Sequence, residues 1–235
     1  MANIGKIVEK YDKFVIFDTE TTGLNFARDE IIEFSAVVLE RQGDQVVVTR
    51  EYDNLITLSP GNTVPELITN LTGISTQDIL QRGIPKAQVC ADIAQMLSGN
   101  PLLLAYNAHF DLSFLFYLLL RNGDPTILKG KDKLDLLTVH KDRRPFPHKL
   151  CNAIEAYGLQ GQVVNSHRAI DDVLATVAVM EAMAVEKDDL EHYVNLFGYN
   201  PKYGIDGKPI GSVTYKPQRF HNTGAQLITP LYQSL

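Results

Sequence analysis

Three β-rich runs in succession constrain the fold of this chain more than any other feature. Lys13-Phe-Val-Ile-Phe-Asp18 is short, apolar and β-branched, and gives way to Thr-Glu-Thr-Thr-Gly-Leu. It predicts a buried strand that ends at Asp18 in a polar loop. Glu30–Glu40 and Gln45–Leu58 are β-rich in turn and are separated by Arg-Gln-Gly-Asp, a good turn sequence. These three strands are expected to form an antiparallel meander.

Pro65–Leu71, Thr76–Leu80 and Pro85–Leu97 carry helical spacing or a proline at a helix start, punctuated by Gly73, Gly83 and Gly99. Pro101–Tyr106 then predicts a fully buried fourth strand, Phe110–Arg121 a helix and Lys131–Leu136 a short fifth strand. Strand and helix now alternate, which points to a mixed α/β sheet. Helical spacing returns over His148–Tyr157 and Arg168–Val185, with a loop from Gly158 to Asn165. After about Leu196 the chain is rich in Gly, Pro, Asn and aromatic residues, and Asp206-Gly207 is suited to closing a hairpin. One domain over residues 1–196 and an appendage over 197–235 are expected.

Composition narrows the classes of function. Of 235 residues, 45% are hydrophobic and 21% charged, an ordinary globular balance. The net charge of −6 argues against clinging to duplex phosphates, which needs a basic face, and leaves a transient grip on a strand end. Cys90 and Cys151 are far apart and lack metal-ligand spacing, so both are expected to be buried, reduced thiols. The longest apolar stretch, Leu112–Leu120, falls short of the roughly 20 residues that span a bilayer. The opening MANIGKIVEKYDKF has no apolar run, so a cytoplasmic location without membrane contact is expected.

Three segments carry candidate chemistry. Asp18-Thr-Glu20 sets two carboxylates on one side of an extended chain, where like charges favour a cation. Alone, the pair reads equally as two solvated loop acids. Asn107-Ala-His-Phe-Asp111 follows a buried strand and opens an apolar helix, so Asp111 is either a helix cap or a site residue. His167-Arg-Ala-Ile-Asp171-Asp172 stands at the start of the last long helix, with Ser166 as its expected cap. Asp171 and Asp172 diverge by about 100°, so only one of them can face a given site.

Together, VIFDTETTGL, NAHFDLSFL and HRAIDDVLAT resemble the three motifs of the DEDDh exonuclease family, in their usual order. That family includes the proofreading epsilon subunits of bacterial DNA polymerase III and free-standing DNases and RNases. The resemblance spans roughly residues 13–185 and implies a ribonuclease H-like fold: a mixed five-stranded sheet, its first three strands antiparallel, flanked by helices. It implies that Asp18, Glu20, Asp111 and Asp172 bind metal and that His167 is the distinguishing histidine of this branch.

On that footing the expected activity is two-metal 3′-to-5′ exonucleolysis of DNA, of the proofreading or repair type, with two Mg²⁺ or Mn²⁺ ions. Asp18 is expected to bridge the ions, with Glu20 and Asp172 completing the site of the attacking water and Asp111 reaching the second ion. His167 is the expected general base, since imidazoles commonly accept protons near neutral pH. Thr19, Thr21, Leu24 and Phe110 are expected to meet the terminal nucleotide, Leu24 as a wedge and Phe110 as a stacking face. Loop threonines bonding their own backbone, and Leu24 and Phe110 as core residues, are the plainer alternatives.

The expected partner is single-stranded DNA or a frayed 3′ end, with a DNA polymerase as a further candidate. An exoribonuclease acting on RNA and a non-catalytic end-binding subunit are the alternative readings. Asp135 is left out of the site, since an N-cap explains it equally well. Lys202, Lys208, Lys216 and Arg219 alternate with Tyr203, Tyr215 and Phe220, a pattern found both in single-strand binders and on solvated or packed surfaces.

Overall fold

A computed structural model of the chain describes residues 4–218 and 229–234. Five strands form one sheet in the order β3-β2-β1-β4-β5. Strands β1 (Lys13–Thr21), β2 (Ile31–Gln42) and β3 (Gln45–Leu55) pair antiparallel as a meander. Strands β4 (Leu102–Ala105) and β5 (Asp132–Asp135) join β1 in parallel. This is the mixed sheet that the run of strands followed by strand–helix alternation predicts.

Helices α1 (Glu66–Thr72), α2 (Thr76–Arg82), α3 (Lys86–Met96) and α4 (Ala108–Asn122) lie close to their predicted positions. So do α6 (Leu150–Ala156) and α7 (Ala169–Glu186). Helix α5 (Leu136–Arg143) was not foreseen. Its residues LLTVHKDR show no clear apolar stripe, and the helix is started by Asp135, which accepts from the backbone N–H groups of Leu137 and Thr138.

Alternation along β1 decides which layer each side chain meets. Phe14 and Ile16 face the layer containing α7, where they pack with Val173, Val179, Met180 and Met183. Val15 and Phe17 face the other way, toward α3 and α4, among Val89, Ile93, Leu112 and Leu115. Each face therefore buries an aliphatic layer, which supplies most of the driving force for folding.

Three local expectations are corrected. β1 does not end at Asp18 but runs on through both acids to Thr21, because Phe34 and Glu33 of β2 stay in register with Thr19 and Glu20, and Ile31 pairs with Thr21 after a shift. A bulge follows Glu20. Cys151 is exposed, unlike the buried Cys90, because it lines an open cavity at the start of α6. Strands β6 (Leu196–Tyr199) and β7 (Thr214–Pro217) pair in parallel, so Asp206-Gly207 closes no hairpin between them.

The described residues beyond 196 pack against the main body. Phe197 is buried with the α3/α4 layer, and Leu231 with the α7 layer. The Leu231 N–H donates to Asp142 at 2.7 Å. Lys216 donates to the carbonyls of Leu231 and Ser234, while Arg219, Phe220 and His221 lie outside the described residues.

Candidate active site

The parity of β1 carries over to its charged end. Asp18 and Glu20 continue the Phe14/Ile16 face toward α7, and Asp172 in the first turn of α7 meets them. One carboxylate oxygen from each of Asp18, Glu20 and Asp172 lies within 4.8 Å of the others. Thr19 points to the opposite face, toward α4. There its hydroxyl donates to Asp111 Oδ1 at 2.7 Å and its N–H to the same oxygen at 3.1 Å. Asp111 therefore approaches from the α4 side and stands outside the three-acid cluster. It is still near enough for its charge to act on Asp18.

The acids disturb one another strongly. Burial, then the charges of Asp111, Asp172 and Glu20, hold the Asp18 carboxyl well above the usual carboxylate range. Burial and the Asp172 charge push Glu20 up to about 8. Burial raises Asp111 to about 7 even though the Thr19 bonds oppose it. Asp172 is raised by burial, against a hydrogen bond from Asn165 and the nearby His167. Such an all-oxygen, mutually repelling donor set fits a hard divalent cation, which would relieve the repulsion.

His167 lies on the same cleft. It is exposed, with φ at 57°, in the left-handed region that costs a non-glycine residue about 1 kcal/mol. With Asp18, Asp172, Asn107, Lys141 and His148 it lines an open cavity of about 610 Å³. Ser166 does not cap α7. Its hydroxyl donates instead to Asp171, which leaves Asp172 to turn into the site. The helix start is held from β2, where Glu33 accepts from the Ala169 N–H at 2.9 Å.

Residues 15–180 match the family designated RNase_T, described as exonuclease. The chain belongs to this exonuclease family. Among its relatives is the 3'-5' exonuclease DinG of Bacillus subtilis, 34% identical over 169 residues, covering 70% of this chain but 17% of DinG. DNA polymerase III PolC-type of Clostridium perfringens is 33% identical over 171 residues, 72% of this chain and 11% of the polymerase. DNA polymerase III subunit epsilon of Treponema pallidum is 30% identical over 184 residues, 75% of this chain and 78% of the subunit. The chain thus corresponds to a small part of the first two and to most of the third. E. coli Exonuclease I in complex with a dA16 oligonucleotide shares the fold, with a TM-score of 0.67 and 23% identity over 77% of this chain and 42% of that one. The α/β architecture of this exonuclease-family enzyme is therefore the ribonuclease H-like one.

The candidate site extends to residues outside the three motifs. Asp135, at the end of β5, accepts from the N–H groups of Asn107 and Ala108, both at 3.0 Å, and so fixes the start of the helix that carries Asp111. It also caps α5, as the N-cap reading expects, so one carboxylate serves two helix starts. Glu33 is fully buried opposite Glu20 and was not foreseen. Its one sequence signal is an acid inside the mainly apolar run IIEFSAVV. Asn165 donates to Asp172 at 2.6 Å, and His109 bonds Tyr215 at 2.7 Å, tying the second motif to the C-terminal segment.

The residues expected at the nucleotide are placed as follows. Thr19 is buried with its hydroxyl on Asp111, and Thr21 donates to the Gly23 carbonyl at 2.6 Å. Leu24 is 80% exposed. Phe110 is half-buried, its ring tilted against Phe114 at 4.9 Å. Among the described residues, no helix is long and apolar enough to cross a membrane.

Proposed function

We propose that this chain is a metal-dependent 3′-to-5′ exonuclease that releases nucleoside monophosphates from the 3′ end of DNA. The convergence of Asp18, Glu20 and Asp172 to within 4.8 Å carries the proposal. These three acids, with Asp111 from the opposite face, would hold two Mg²⁺ or Mn²⁺ ions. When bound, the ions neutralise charge growing on the phosphate and the departing 3′ oxygen and make water a stronger acid. His167 takes the proton of the attacking water on an imidazole nitrogen. Its place on the cleft shared with Asp18 and Asp172 supports that role.

The loop after β1 meets the terminal nucleotide, with Leu24, free on the surface, set against its base. Phe110, half-buried against Phe114, adds a stacking face. Thr19 and Thr21 contribute by shaping this wall, since both hydroxyls already have partners in the chain. Residues 1–196 act as the catalytic domain, with 197–235 as an appendage laid against it. DNA is favoured over RNA because relatives named DNA polymerase III include a whole epsilon subunit of similar length. A DNA polymerase is the partner that this likeness suggests.

A time course on 5′-labelled single-stranded DNA and matched RNA tests the proposal, with and without a blocked 3′ end. Stepwise shortening of DNA that stops with EDTA and with the 3′ block is the expected result. Preferential shortening of RNA would transfer the same chemistry to an exoribonuclease. Intact substrates throughout would favour a non-catalytic end-binding subunit.

A further inference from the structure

We infer that Glu33 and Arg168 form a positioning clamp that sets the first turn of α7, and with it His167 and Asp172, relative to Asp18 and Glu20. The inference rests on the proposed exonuclease centre and adds to it a pair of residues that hold no metal and touch no substrate.

Register puts Glu33 there. It is the direct β2 partner of Glu20, so both side chains rise from the same face of the sheet. A fifth acid beside the cluster could compete for a cation, but both of its oxygens are taken. Oε1 accepts from Arg168 Nε at 2.9 Å and from Nη2, while Oε2 accepts from Arg168 Nε at 3.2 Å and from the Ala169 N–H at 2.9 Å. The fork of the guanidinium fits this geometry in a way an ammonium cannot.

The helix needs such a hold. α7 has no side-chain cap from its own N-cap residue, Arg168, and its first N–H groups would otherwise lack partners. Glu33 supplies the acceptor from 136 residues away, and its charge suits the positive end of the helix. His167 immediately precedes the clamp and carries a left-handed backbone, a conformation that persists where neighbours fix it. Asp172 lies one turn further on, its N–H bonded to the Arg168 carbonyl at 3.1 Å. A shift of residues 168–169 therefore moves the histidine and the acid together.

The test uses the full chain with Glu33→Gln, Arg168→Lys and the double variant. Melting curves establish that each is folded at the assay temperature, and calorimetric Mn²⁺ titration reads the site without turnover. The inference predicts at least tenfold lower kcat and about tenfold weaker Mn²⁺ binding in either single variant, with KM for the strand within twofold. The double variant should be no worse than the worse single one, because the two residues act as a unit. Folded single variants with wild-type kcat and Mn²⁺ affinity would overturn it, as would losses that vanish on cooling in step with regained stability. Wild-type protein that binds Mn²⁺ but degrades nothing would refute the exonuclease reading alone, and the Mn²⁺ titration would still decide the clamp. Should a variant unfold, Arg168→Gln read by the same titration takes its place.

Discussion

Thr19, placed between the two acids of β1, donates both its hydroxyl and its N–H to a single oxygen of Asp111, at 2.7 and 3.1 Å. Alternation makes this unavoidable: with Asp18 and Glu20 facing α7, the residue between them faces α4. The third motif thus meets the first through the acids, and the second motif meets it through the threonine.

Thr19→Val keeps the shape and removes the hydroxyl. A hydrogen bond to a charged group is worth roughly 1.5–3 kcal/mol, and here it also aims the acid. The expected outcome is a fall in kcat of about tenfold or more, with a modest drop in melting temperature. Steady-state rates and thermal melts on the same preparation check it.

The raised acids fix a pH dependence. Glu20 titrates at about 8 and Asp111 at about 7 in the folded chain, above their ordinary values of 4.5 and 3.8. The folded state binds these protons more tightly than the unfolded one, so the contribution is fully favourable below the ordinary values of 3.8 and 4.5, declines as pH rises above them and is gone once pH has passed about 7 to 8. A cation replaces those protons. The melting-temperature gain from Mn²⁺ over EDTA should therefore be larger at pH 8 than at pH 5.5. An equal gain at both would contradict the crowded-acid picture.

Asp135 holds two elements at once. Its Oδ2 accepts from the Thr138 N–H at 3.1 Å and hydroxyl at 2.6 Å, while Oδ1 serves Asn107 and Ala108. Asp135→Asn turns one acceptor into a donor that faces donors. A cost of about 2–3 kcal/mol is expected, or roughly 5–10 °C in melting temperature for a chain of this size. Activity measured well below the melting point should fall as well, because α4 starts from the same carboxylate.

Much of this was legible in the sequence, and the rest has a physical reason for being hidden. The meander and the mixed sheet follow from the order of strands and helices, and the one-sided placing of Asp18 and Glu20 follows from period-2 alternation, whereas the meeting of Asp172 with them was implied only by the resemblance of the three motifs. Alternation also foretells that Thr19 faces away from its neighbours, although not that Asp111 waits there. Glu33 was hidden because its partners, Arg168 and Ala169, lie 135 and 136 residues away, and no local pattern reports a tertiary cap. Helix α5 was hidden because its start depends on a buried aspartate and not on an apolar stripe. The parallel pairing of β6 with β7 was hidden because it is a long-range contact: Asn195, just before β6, donates to the Lys133 carbonyl of β5 at 2.7 Å and accepts from the Thr214 N–H at 2.8 Å, links that no local turn signal at Asp206-Gly207 reports.

The most direct test of the central claim compares wild type with Asp18→Asn, a substitution that keeps the shape and removes one charge from the cluster. Mn²⁺ titration and hydrolysis of a 5′-labelled single strand are followed on the same folded samples. The account predicts that the wild type binds Mn²⁺ and shortens the strand stepwise, while Asp18→Asn melts at or above the metal-free wild-type temperature, binds Mn²⁺ far more weakly and loses at least a hundredfold in rate. Undiminished hydrolysis by Asp18→Asn, with metal binding unchanged, would contradict it.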